Sequence, residues 1–219
     1  MKSVVAAAVL SLVLVSVRCA AAPMSCETLL RPISVSNEQI LGRWLYVGGS
    51  SDLPGSRSLG RLLDSVRLDI GAAPVGDVLT IFQAQRIYGE CSGMRYNVTV
   101  KNSTMLIERP FYLKEVYLQT DCSDCLVVYE EVKSSRDSFR SLLLFSRRRN
   151  VSAADVETLK MQAKCLRMPS PLMMEPIHEP CPDDIATTDG IAAFNSLLEA
   201  KMGQRLARLL DNIFDMFVN

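Results

Sequence analysis

The sequence predicts a mostly β protein: an eight-stranded antiparallel up-and-down barrel, a following α-helix, and an extra C-terminal amphipathic helix. Three observations predict it. Between Leu41 and Arg147, eight segments alternate apolar and polar residues with period two and are separated by short turns. A segment with an N-cap and helical spacing follows directly. Beyond a proline-rich stretch, apolar residues recur at a helical period from Ile185 to Phe217.

The chain of 219 residues starts with Lys2, an apolar run from Val4 to Val17, and the small residues Cys19 to Ala22. That is the layout of a secretory signal peptide, with cleavage expected after Ala21 because Pro23 disfavours the next bond. The apolar run is shorter than a membrane span needs. The expected organisation is a signal peptide over 1–21, a barrel with flanking helix and strap over 22–182, and a helical extension over 183–219.

Cys26 to Val35 reads as an irregular lead-in with a turn at Pro32. Ser36 and Gln39 have capping-box spacing, so a one-turn helix is expected before the first strand, Leu41 to Gly49, which holds the single tryptophan, Trp44. Ser50 to Gly60 is a loop rich in Ser, Gly and Pro, with a short helix expected near Leu59 to Leu63; in a barrel this loop would cover the open mouth. Strands then follow around Val66–Ile70, Val78–Ile87, Cys91–Val100, Thr104–Glu108, Leu113–Thr120, Leu126–Val132 and Phe139–Ser146. Short strands with local turns mean a sandwich or a barrel, and closure, which removes exposed sheet edges, favours the barrel.

Ser152 is the expected N-cap of the next helix, with Asp155 at the capping-box position and Val156, Leu159 and Ala163 on one face. Met168 to Cys181 holds four prolines and is expected to be an extended strap. In the tail, Ile191, Phe194, Leu198, Met202, Leu206, Leu209, Ile213 and Phe217 form a stripe opposite Glu199, Arg205, Arg208 and Asp211. Asp183 and Asp184 are placed to start that helix, where acidic residues suit the first turn. The stripe either packs on its own barrel or serves a lipid surface or partner.

Lys and Arg number 24, as do Asp and Glu, so the formal charge is zero and no basic face marks a nucleic-acid binder. Seven cysteines are present and Cys19 would leave with the signal peptide. The remaining Cys26, Cys91, Cys122, Cys125, Cys165 and Cys181 are an even set, which argues for disulfides in a secreted, extracellular chain. The sequons at Asn97, Asn102 and Asn150 point to the same compartment.

Nothing in the sequence assembles a catalytic centre, and the reading is a non-enzyme without metal or cofactor. His178 is the single histidine and sits among prolines on the strap, away from any serine–acid pair. Glu130 and Glu131 are neighbours on a strand and point to opposite faces, so they are not a dyad with each other. Cys122-x-x-Cys125 has the spacing of a redox or zinc motif, but its context is a β-turn and no second ligand pair exists.

The Gly42-x-Trp44 pair opening the first strand, and Arg147 just after the last, resemble the two signature motifs of the lipocalins. In that family the tryptophan plugs the closed end of the barrel and the arginine lies across it. The resemblance implies that the Arg147 guanidinium stacks on the Trp44 indole. The cysteine layout resembles the branch that holds orosomucoid (alpha-1-acid glycoprotein), apolipoprotein M and the fish saxitoxin and tetrodotoxin-binding proteins. It implies the pairs Cys26–Cys165 and Cys91–Cys181, and leaves Cys122 and Cys125 either to bridge each other or to find other partners. Some lipocalins are prostaglandin synthases with a free thiol; here no unpaired cysteine is expected. The family's charged tail is replaced by the amphipathic stripe.

A lipocalin barrel implies a secreted carrier that binds and transports a small hydrophobic or amphipathic ligand in its cavity. With Trp44 and Arg147 setting the phase, the expected cavity residues are Tyr46, with Gly48, and Leu143 and Phe145, joined by Val127, Tyr129, Phe82 and Tyr117 on other strands. Arg86 or Arg95, if inward, would select an anionic head group; an acidic or aromatic interior would suit a cation. The alternative is a lipid-particle, membrane-surface or protein-interaction module that works through the C-terminal helix.

Overall fold

The computed structural model describes residues 25–74, 76–135, 138–175, 178–199 and 207–212. The expected signal peptide over 1–21 lies outside them, as do Met202, Leu206, Ile213 and Phe217 of the tail stripe.

Eight long strands form the body: β1 (Gly42–Ser51), β2 (Leu63–Ala72), β3 (Val78–Ile87), β4 (Glu90–Lys101), β5 (Thr104–Ile107), β6 (Tyr112–Leu118), β7 (Cys125–Lys133) and β8 (Ser138–Ser146). Each pairs antiparallel with its chain neighbours, and β8 pairs back onto β1. The sheet is therefore a closed barrel without a free edge along its long strands. Two short segments extend it: Pro32–Ile33 pairs with β6, and Leu172–Met173 of the strap pairs with β1.

Two helices before the barrel, α1 (Cys26–Leu29) and α2 (Asn37–Ile40), occupy the lead-in. In α2 the Ser36 hydroxyl accepts from the Gln39 N–H while the Gln39 side-chain Oε1 accepts from the Ser36 N–H at 2.8 Å, a reciprocal cap. The loop after β1 carries α3 (Ser56–Gly60), slightly earlier in the chain than the spacing suggests. The long helix α4 (Ala153–Cys165) follows β8, with Ser152 and Asp155 forming a second capping box.

The core has an inside and an outside. Inside the barrel, Trp44, Ile81, Met105, Leu113, Tyr117, Val128 and Phe145 belong to one buried cluster. Outside, Leu159 and Ala163 of α4 pack against Val47, Val127, Leu142 and Leu144. Buried Gln162 fixes α4 further by donating to the Leu29 and Gln119 carbonyls, each at 2.9 Å. Three disulfides join Cys26 to Cys165, Cys91 to Cys181, and Cys122 to Cys125.

The C-terminal segment differs from its sequence expectation. Thr187–Asp189 is a short strand lying parallel to β4, and the helix α5 begins only at Gly190 and runs to Glu199. Asp189, not Asp183 or Asp184, caps it: its carboxylate accepts the Ile191 and Ala192 N–H groups at 3.0 and 3.1 Å. Asp183 instead bridges Arg43 and Arg67 at 2.8 and 2.7 Å, which pins the chain after Cys181 to the barrel wall. A further helical stretch spans 207–212, in which Leu209 is exposed.

Candidate ligand-binding cavity

The closed end is built around Trp44, buried at the start of β1. Its indole N–H donates to the Ile40 carbonyl at 2.7 Å, which is how the capped turn α2 becomes a floor under the barrel. Arg147 covers the ring from outside, with its guanidinium carbon 3.5 Å from a ring centre. Its nitrogens donate to the carbonyls of Arg43, Gln39 and Leu41 at 2.7, 3.1 and 2.7 Å. Gly42 is required twice here. Its φ is +94°, and a Cβ would stand 3.1 Å from the guanidinium.

Above this floor the barrel encloses a cavity of about 690 Å³, within the range of small-molecule sites. Its wall is mainly apolar, with Leu68, Ile81, Met94, Leu126, Val128 and Leu143 from five strands. Tyr46 packs beside Phe145, ring centres 5.7 Å apart. The loop helix α3 and the strap line the mouth, and Ile191, Phe194 and Leu198 of α5 close it from the other side. Phe194 meets Phe111 with ring centres 5.0 Å apart, so this part of the tail applies its apolar face to its own barrel.

The segment 207–212 completes the cover. Ala207 is buried in the cavity wall, and the Asp211 carboxylate accepts the N–H groups of Gly55 and Ser58 at 2.7 and 2.9 Å and the Ser58 hydroxyl at 2.9 Å. The tail is thereby tied to the start of α3 across the mouth.

A polar cluster interrupts the apolar wall. Glu115 of β6 and Glu130 of β7 are direct cross-strand partners, and both line the cavity. Desolvation in the barrel, and then the neighbouring charge, hold Glu115 well above the usual carboxylate range; burial pushes Glu130 up to about 7. Ser141 of β8 stands opposite Glu130 on its other side. Tyr46, Tyr96 and Tyr117 share the interior, and burial followed by the adjacent carboxylates raises all three phenols. The Tyr96 hydroxyl donates to the Gln83 side chain at 3.2 Å.

Of the residues expected in the cavity, Tyr46, Tyr117, Leu143 and Phe145 line it. Val127, Tyr129 and Phe82 do not. Val127 packs under α4 and Tyr129 lies on the same outer face, its hydroxyl 3.3 Å from Glu131. β7 is apolar on both faces because a helix covers its outside, so alternation alone leaves its phase open. Phe82 packs outward with Ala84 and Cys181, and Arg67 and Arg95 lie over its ring. Gly48 also faces out, beneath Leu172 and Met173, because a bulge between Tyr46 and Gly48 resets the alternation of β1.

Arg86 and Arg95 both lie on the outer surface; Arg86 donates to the carbonyls of Glu179 and Gly89. Arg57, in α3 at the mouth, is the one cation among the described lining residues. His178 is exposed. Cys122, Cys125 and Asp124 cluster, but the two sulfurs bond each other and Asp124 pairs with Arg148. The asparagines of the three sequons, Asn97, Asn102 and Asn150, are all exposed.

The element order, the closed antiparallel barrel and the helix behind it match solved structures. One is the siderocalin Ex-FABP, a protein described as functioning through dual ligand specificities. The two chains superpose with a TM-score of 0.57 at 15% identity, over 68% of this chain and 99% of that one. The chain has the lipocalin fold. No protein-family model and no curated protein matches the sequence.

Glu115 and Glu130 were not legible in the sequence as a pair. The available signal was an acidic residue on each of two adjacent strands; only the register between β6 and β7 sets them opposite each other.

Proposed function

We propose that this protein is a secreted lipocalin that binds and transports a small hydrophobic or amphipathic molecule in its barrel. The observation that carries the reading is the enclosed cavity of about 690 Å³, apolar over most of its wall and closed at one end by Trp44. Secretion is supported by the signal-like leader, three disulfides and three exposed sequons, which also support glycosylation. Membership of the orosomucoid and apolipoprotein M branch rests on the cysteine layout alone.

A working surface for a lipid particle on the C-terminal helix is the weaker reading. Ile191, Phe194 and Leu198 turn into the barrel mouth, so that apolar face is already covered. No catalytic role is proposed, since the polar cluster holds two carboxyls and phenols without a nucleophile paired to a base.

Native mass spectrometry of the protein from its natural secretion tests the carrier reading. The expected result is a bound small molecule released on denaturation. An empty barrel that also fails to take up any amphipath in titration would overturn it.

A further inference from the structure

The polar cluster narrows the class of ligand, and the inference that follows rests on the carrier reading above. Glu115 and Glu130 stand on the third inward rung of β7 and its partner, above Leu126 and Val128. Both are enclosed by the barrel, yet each keeps surface turned to the cavity, where a ligand would meet it. A hydrocarbon does nothing for two carboxyls held out of water, and a bound carboxylate or phosphate would be repelled by them.

A second observation points the same way. Tyr117 is only 2% exposed and stands on the same face of β6 as Glu115, two residues on. Its phenol lines the same cavity and lies close enough to Glu115 to feel its charge. A phenol on the cavity wall beside the carboxyls is a polar position that a bound group can use. The residues facing the pair from the other strands are Tyr46, Gln83, Tyr96 and Ser141, all uncharged near neutral pH. Arg57 contributes the only described positive charge of the lining, at the mouth.

We infer that Glu115 and Glu130 are the polar anchor of the ligand site and hold the protonated amine of an amphipathic ligand whose apolar body lies along Leu126, Val128, Leu143 and Phe145. In the empty barrel the two carboxyls share a proton, because like charges in contact cannot both ionise. The ammonium group replaces that proton, with Tyr117 close enough on the same face to complete its surroundings. Binding of the amine then releases a proton from the pair, and acid, which restores it, releases the ligand.

Three probes with one chain length test this on the intact protein: decylamine, decanol and decanoate, titrated by calorimetry at pH 7.5 and pH 5.5. At pH 7.5 decylamine is expected to bind at least about tenfold tighter than decanoate. The preference should shrink at pH 5.5 and vanish in the Glu115→Gln/Glu130→Gln double variant. Glu131→Gln, on the outer face of the same strand, should leave all three affinities as they are. The wild-type comparison at two pH values stands even if the double variant does not fold. Decanoate binding as tightly as decylamine, or an amine preference that survives in the double variant, overturns the anchor while leaving the carrier reading in place. Failure of all three probes to bind overturns both.

Discussion

The guanidinium of Arg147 lies over Trp44, the two joined from opposite ends of the barrel sequence, and the same group donates to the backbone carbonyls of Gln39 and Leu41 in the turn and of Arg43 in the first strand. One side chain thus fastens the first strand, the last strand and the α2 turn together. The fixed fork of the guanidinium is what allows all three hydrogen bonds at once, and a lysine has no equivalent geometry.

Arg147→Ala should therefore lower stability by about 2 kcal/mol, the scale of a partly desolvated cation–π contact with its hydrogen bonds, discounted for the exposure of the arginine. Arg147→Lys should recover less than half. Gly42→Ala should cost about 1–3 kcal/mol because of its positive φ. The two losses should be non-additive, since an alanine at 42 meets the guanidinium. Urea denaturation followed by Trp44 fluorescence measures each value, and a wild-type midpoint for Arg147→Ala would refute the clasp.

The Glu115–Glu130 pair predicts an unusual pH dependence for the empty protein. Both carboxyls have folded-state pKa values raised above those of the unfolded chain, with Glu130 at about 7. Between the ordinary carboxylate range and that value the folded state binds more protons than the unfolded one, so stability falls as pH rises. The wild type should melt at a higher temperature at pH 5.5 than at pH 8. The Glu115→Gln/Glu130→Gln variant should lose that slope and exceed the wild type at pH 8. Surface carboxylates such as Asp124 and Glu179, lowered by their arginine partners, act with the opposite sign and only at more acid pH. Scanning calorimetry across this range decides; a flat or rising wild-type profile counts against the pair.

Asp211 ties the tail to the lid helix through three hydrogen bonds. Asp211→Ala removes all three acceptor contacts and should speed ligand exchange severalfold, with a stability loss of about 1 kcal/mol, typical of a lost cap. Stopped-flow release of a fluorescent amphipath provides the rate. Unchanged rates would mean that ligand traffic does not pass beneath this contact.

The disulfides should differ in worth according to the loops they close. Cys91–Cys181 spans 90 residues and Cys122–Cys125 only 3. In the chain-entropy account, replacing the first pair by serine costs about 4–5 kcal/mol and the second about 2 kcal/mol. Cys91–Cys181 also holds the strap from which the tail departs, so its loss should loosen the mouth cover as well. Equilibrium denaturation of the two double-serine variants checks the order.

Much of the architecture is written locally. The capping boxes at Ser36 and Ser152, the turn-bounded alternating strands and the prolines of the strap each act over a few residues, so their chemistry can be read without knowing what they touch. The tail was harder: Thr187–Asp189 has no strand pattern of its own and pairs only because the disulfide from Cys181 delivers it alongside β4. Leu209 belongs to the apolar stripe by spacing yet is exposed, because Asp211 is the residue turned toward α3.

By itself, then, the sequence determined eight turn-bounded strands and a capped helix on their flank, because period-two alternation and caps are short-range signals; the tryptophan floor was implied by the resemblance of Gly42, Trp44 and Arg147 to the lipocalin motifs. Only the tertiary structure decided which way several strands face. Val127 and Val128 are equally apolar, and it is α4 on one side and the cavity on the other that separates them. The same register brings Glu115 against Glu130, two residues with nothing in their neighbourhoods to announce a pair, and so the polar character of the cavity is a property of strand pairing that no single segment of the chain contains.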